Sequence, residues 1–159
     1  MRSKFLLRSL VPLIAAAGLL LFAATPAIGA ASATTETLHG FTESFPTANP
    51  CTGDLGTVTV TYNSVFHTSV DATGGVHVTA TLTGTFDFAP DDASKPSYTG
   101  RFTNWFGVNI GANGQGSWST FSLTGYGSDG SVIHFNGVTQ FHLANGEVQV
   151  DFMLGNCRD

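Results

Sequence analysis

The side chains able to do chemistry in this chain of 159 residues are five histidines, eleven acids and two cysteines. His67 and His77 come closest to a constellation. Both occupy polar positions of two alternating stretches, "VTVTYNSVFHTSV" and "GGVHVTATLTGTFDF", joined by a short glycine-containing turn. Pairing the stretches as a hairpin sets His67 opposite Thr79, with His77 its diagonal neighbour. Diagonal partners lie about 7–8 Å apart, within reach of two converging imidazoles. A zinc ion needs a third and usually a fourth ligand. Asp71 shares the face but falls further along the hairpin. No His-x-x-x-His spacing occurs, so solvated strand histidines are the favoured reading. His134 and His142 share a strand face eight residues apart. At about 3.3 Å per residue they are too distant for a common metal. His39 has no partner in this scheme. Asp91 and Asp92 sit in the loop "APDDASKPS", without the Asp-x-Asp-x-Asp-Gly pattern of a calcium loop. No nucleophile elbow, phosphate loop or dinucleotide fingerprint is present. The sequence therefore assigns no catalytic residue, no metal and no cofactor. An enzyme with an unrecognised site near His67, His77 and the neighbouring acids remains one alternative.

The cysteines and the N-terminus set the compartment. Arg2, Lys4 and Arg8 precede an apolar run from about Leu10 to Ala24, followed by small residues. This is the pattern of a secretion signal. Ala31-Ser32-Ala33 and Ile28-Gly29-Ala30 both fit the cleavage rule, and cutting after Ala33 is favoured. Residues 1–33 are then the signal, and no lipobox cysteine marks a lipoprotein. The remaining 126 residues, Thr34–Asp159, suit one domain. They keep three cationic residues, Lys95, Arg101 and Arg158, against eleven acids, hence a formal charge of −8. That balance argues against nucleic acid and against anionic membranes as partners once the signal is removed. Oligomeric state is not legible. Cys51 and Cys157 have one intramolecular pairing open to them, and an oxidising compartment favours it. Two buried thiols or a bond to another chain are the other readings. There is no Cys-x-x-Cys to support redox catalysis.

The elements that position these residues read as strands. Thr, Val, Phe and Gly dominate, with turn signals at short intervals and no helical period. Residues 34–56 read as a short strand near Thr37–Phe45 and a linker holding Pro46, Pro50 and Cys51. Residues 57–159 read as six longer strands: Thr57–Asp71, Gly75–Phe88, Tyr98–Phe106, Ser117–Gly127, Ser131–Leu143 and Glu147–Leu154. "NIGANGQG" reads as a flexible rim loop. Gly74 suits the left-handed position of a three-residue turn with a bulge, which sets Val60 opposite Phe86 and Tyr62 opposite Gly84. Gly130 in the same role sets Leu123 opposite Phe135 and keeps the apolar face inside. Asn145-Gly146 is a strong two-residue hairpin signal. It predicts Leu143 opposite Val148 and Phe141 opposite Val150, with Val148, Val150, Phe152 and Leu154 facing inward. Sequential hairpins with one wet face predict an all-β, antiparallel up-and-down meander closing into a small barrel of lipocalin or avidin shape. A β-sandwich is the alternative.

"NPCTGDLGTVTVTYNSVFH", "GGVHVTATLTGTFDF" and "SYTGRFTNWFG" resemble a group of small secreted actinobacterial proteins. The resemblance spans nearly all of the chain after the signal. That group has no assigned activity, so it implies secretion and a β fold but no catalytic residues. The lipocalin Gly-x-Trp belongs on a first strand, whereas Gly116-Ser117-Trp118 lies late in this chain.

Two surfaces are left as working faces. Eleven phenylalanines follow the signal, most of them assigned inward. Apolar ligand cavities are lined by such rings with a few placed polar groups. Tyr62, Phe66, Phe102, Asn104 and Phe135 are the expected contacts of a small apolar molecule. A core filled by its own side chains is the competing reading. Outside, Thr57, Thr59, Thr61, Thr79, Thr81, Thr83 and Thr85 form a polar face with His67 and His77. That face suits a surface module binding cell wall or polysaccharide, and threonine also simply suits a wet strand.

Overall fold

The computed structural model describes residues 31–112 and 114–158. The predicted signal therefore lies outside the described residues except at its end. Ser32 and Ala33 already belong to a strand, paired with Val70 and Ser69.

Among the described residues there are seven strands: β1 (Ser32–Ala48), β2 (Leu55–Val70), β3 (Val76–Pro90), β4 (Tyr98–Gly111), β5 (Gly114–Gly127), β6 (Val132–Ala144) and β7 (Glu147–Arg158). They form one antiparallel sheet in chain order. The first strand is longer than the sequence predicts at both ends, beginning at Ser32 and running through Pro46, which lies opposite Thr57. An edge strand tolerates proline, whose missing N–H is not needed on the open side. The predicted rim loop "NIGANGQG" is a tight hairpin instead, with Gly111 paired to Gly114. Both strands simply continue into the glycines.

Two hairpins follow the predicted registers. Val60 pairs with Phe86 and Tyr62 with Gly84. Leu123 pairs with Phe135. Gly74 and Gly130 hold φ of 86° and 85°, the left-handed geometry that these turns require. Asp71 and Asp129 cap the same turns. Asp71 Oδ1 accepts from the Thr73 N–H at 2.8 Å and the Gly75 N–H at 2.9 Å. Asp129 Oδ1 accepts from the Ser131 N–H at 3.0 Å.

The last hairpin departs from expectation. Leu143 pairs with Val148 as predicted, but a bulge follows and His142 pairs with Val150. Phe141 therefore faces Asp151, not Val150. One extra residue reverses every side chain beyond it. Val150, Phe152 and Leu154 are thereby turned outward, the last two exposed at 38% and 66%, whereas Met153 and Cys157 turn to the inner side; Val148, on the turn side of the bulge, keeps its predicted place opposite Leu143 and is 57% exposed. The bulge sets Cys157 opposite the buried Phe135.

Cys157 reaches Cys51 there. Their disulfide joins Cα atoms 5.5 Å apart across 106 residues. A flat sheet would separate β2 from β7 by roughly 24 Å, at about 4.8 Å per strand. The sheet must therefore curl until its inner face meets itself. Asn49, only 3% exposed, shapes the connection that carries Cys51. Its Oδ1 accepts from the Cys51 N–H at 2.9 Å. In the chain-entropy view a loop of this length is worth about 4–5 kcal/mol of stability.

The curl does not complete a hydrogen-bonded barrel. β1 and β7 share no ladder and are the two edges of the sheet. In an up-and-down meander the first and seventh strands run the same way, so a ladder between them would have to be parallel, unlike every other pair of the sheet.

Curling crowds the inner face, and glycines relieve the crowding. A Cβ on Gly100 would press on the Thr124 carbonyl and lie 2.8 Å from Phe86 Cε1. One on Gly125 would lie 2.8 Å from Phe86 Cζ. Gly137 and Gly155 lie beneath Phe135, at 2.9 and 2.7 Å from its ring on the same test. The core runs across five strands through Val60, Leu82, Phe86, Phe102, Leu123 and Phe135. Gly100→Val is expected to lower stability by about 3 kcal/mol, at the upper end of overpacking costs. The outward Thr83→Val is expected to change it by less than about 0.5 kcal/mol. Urea unfolding of both variants checks this, and equal midpoints would show that the bare positions are not required.

Candidate functional site

The inner face encloses a partly open cavity of about 250 Å³. All seven strands contribute to its wall. Alternation along each strand aims the residues inward, and the curl brings strands distant in the sequence together. Phe102, Phe121 and Phe135 stand on β4, β5 and β6 and pack in series. Their centroids are 5.9 Å apart for the first pair and 6.2 Å for the second. Tyr62 meets Phe102 edge-on at 6.3 Å.

Four of the five expected contacts line this cavity: Tyr62, Phe102, Asn104 and Phe135. Phe66 does not. It packs against Phe106 at 6.2 Å, so Phe106 stands on the cavity wall in its place. Asn104 is 7% exposed. Its Oδ1 accepts a 2.9 Å hydrogen bond from the Ser119 hydroxyl. This bond orients the amide, and Nδ2 has no side-chain hydrogen-bond partner among the described residues. A donor on an otherwise apolar wall is the kind of group that orients a ligand.

Sequence reasoning missed Glu43. The bulge in β1 between Leu38 and Phe41 puts Phe41, Glu43 and Phe45 opposite the inward Tyr62, Val60 and Val58. Gly40 forms the bulge at a φ of 62°, and its N–H donates to Asn63 Oδ1 at 2.9 Å. Glu43 lines the cavity. The signal that could have found it is the alternation Phe41-x-Glu43-x-Phe45, which puts an acid on an apolar face. Burial pushes the Tyr62 phenol up to about 12, helped by the negative charge of Glu43 and a hydrogen bond to its carboxylate.

The histidines do not converge. His67 Nδ1 bonds the Thr35 hydroxyl at 2.9 Å, toward β1. His77 Nδ1 bonds Asn109 Oδ1 at 2.8 Å, toward β4, and its Nε2 lies 3.6 Å from Asp71 Oδ2. Each ring is thus turned away from the other. Among the described residues no three of His, Cys, Asp or Glu stand close enough to hold a metal. Among those residues no helix is long and apolar enough to cross a membrane.

The outer face is not uniformly polar. Thr42 meets Thr61 at 2.9 Å and Ser44 meets Thr59 at 2.7 Å, hydroxyl to hydroxyl. Further along the sheet Trp105 and Trp118 pack edge-on at 5.5 Å, and Trp105 is 54% exposed. Gly107 lies under the Trp118 ring, with 2.6 Å from a Cβ there to Cε2. The tryptophans were legible as residues, but their pairing depends on the β4–β5 register.

No family model matches the chain, and neither a curated protein nor a solved structure shows significant similarity to it.

The Tyr62 shift has a sign that can be measured. A phenol held neutral in the folded state stabilises it up to the unfolded value of 10.0. That contribution is lost as pH rises from there to about 12. Ultraviolet titration of the protein against Tyr62→Phe is expected to show one phenol ionising near the upper value. A phenol of Tyr62 ionising near 10.0 would mean that it is not desolvated.

Proposed function

We propose that this is a secreted, non-enzymatic β protein whose curled sheet acts as a barrel-like container for a small apolar molecule. The observation that carries the reading is the cavity of about 250 Å³, walled by phenylalanines and interrupted by a few polar groups. For scale, an apolar cavity of about 150 Å³ holds a benzene-sized guest. The space here suits one or two rings. Tyr62, Phe102, Asn104 and Phe135 are its contacts. Secretion is supported by the N-terminal pattern, by the resemblance to secreted actinobacterial proteins and by the disulfide, which fits an extracellular protein.

Protein recovered from the culture medium is expected to bind the neutral naphthalene dye prodan, with a blue-shifted emission. Thr139 lines the cavity from β6, so Thr139→Phe is expected to fill the space and abolish binding without unfolding the protein. A dye that does not bind, or that binds Thr139→Phe equally well, would count against the container.

A second reading concerns the outer face. The Trp105–Trp118 pair supports polysaccharide binding, because sugar rings stack on exposed indoles beside hydroxyl-bearing strands. Pull-down on insoluble glycans is expected to retain the native protein and to lose Trp105→Ala. Loss through Thr81→Lys, Thr83→Lys as well would extend the surface to the threonines. No retention of the native protein would remove this reading.

A further inference from the structure

The cavity wall is asymmetric in charge. Glu43 faces inward from β1, opposite Val60, between Phe41 and Phe45 on its own strand. The wall carries no lysine, arginine or histidine. The cations of the described chain lie elsewhere. Lys95 pairs with Asp54 at 3.7 Å, and Arg101 and Arg158 are exposed on the outer face, opposite Thr85 and His134. Among the described residues Glu43 has no ion-pair partner. A partly buried carboxylate against apolar walls is costly unless a cation or a donor meets it. Tyr62 interacts with the Glu43 carboxylate, and its ring lies 5.5 Å, centroid to centroid, from that of Phe41. Ring faces attract a cation that a carboxylate has already drawn in.

We propose that the cavity selects small apolar amines, with the ligand's ammonium group against Glu43 and the ring of Tyr62. The hydrocarbon part then lies among Val60, Phe102 and Leu123. This assignment rests on the container reading and names its ligand class. The carboxylate supplies charge where no residue of the wall opposes it, so an anionic ligand of the same shape is repelled. The Tyr62 ring face adds to the hold on an ammonium that the carboxylate has already drawn in, so the selection itself sits on Glu43.

The test uses displacement of prodan at neutral pH by three compounds of similar shape: phenethylamine, phenethyl alcohol and phenylpropionate. The amine is expected to displace the dye at about a tenfold lower concentration than the alcohol, as one charge-assisted hydrogen bond implies. Phenylpropionate is expected to be the weakest. Glu43→Gln, with each compound read against that variant's own prodan affinity, is expected to bring amine and alcohol within about twofold of each other. Glu43→Lys is expected to reverse the order of amine and carboxylate. Equal displacement by all three compounds in the native protein would overturn the amine assignment while leaving the container standing. So would an amine preference that survives in Glu43→Gln. Absence of prodan binding by the native protein would overturn both.

Discussion

Phe86 lies over Gly100 and Gly125, Phe135 over Gly137 and Gly155, and Tyr62 opposite Gly84. This complementarity between large rings and bare backbone is the constraint on which the rest depends. When a sheet curls, its concave side loses area while its convex side gains it. Side chains at every inward position would collide. Leaving the position beneath each ring empty lets neighbouring strands approach and lets the rings lie along the sheet. The same device explains why rings rather than aliphatic chains dominate inside. One phenylalanine covers its own position and the empty one beside it.

The disulfide acts on the same curvature from the ends. Cys51 follows β1, and Cys157 is near the end of β7. The bond holds together regions that share no hydrogen-bond ladder. Curvature leaves a void where the inward rings do not meet, and the void is the cavity. The packed core and the cavity share these rows: Leu82, Phe86 and Leu123 are buried and also line the space beside Asn104 and Phe135. The chemistry of that space follows from which small or polar residues stand on its wall. Asn104 and Glu43 come from strands far apart in the meander, and only the curl brings both to one volume.

The outer surface follows a different physical rule. It grows by curling, so it has more room for branched and indole side chains, although Trp118 still lies over the bare Gly107. Thr42–Thr61 and Ser44–Thr59 hydroxyl pairs tie β1 to β2, whereas the β4–β7 side carries Trp105, Trp118 and the apolar residues turned out by the β7 bulge. His67 and His77 are tied into this surface by bonds to neighbouring strands. Those bonds explain them without invoking a ligand.

What the sequence determined by itself is local. Alternation has a period of two, and turn residues reveal where it reverses, so strand identity and the registers at Gly74 and Gly130 were legible from neighbouring residues. The inward set Tyr62, Phe102, Asn104 and Phe135 follows from the same phase. Two bulges were not legible: one left the faces of the first strand unassigned and the other reversed those predicted for the last. The bulges near Gly40 and after Leu143 change no composition and break no turn rule, yet each reverses a face. They are selected by distant partners: Tyr62 for Phe41, and Cys51 for Cys157. Sheet closure was misread for a related reason, since pattern shows that strands pair but not whether the last meets the first. Only the tertiary structure decided that Phe66 is masked by Phe106, that Glu43 looks inward, and that the enclosed volume is finite. Each of these is a contact across strands, set by curvature and packing, which no local pattern encodes.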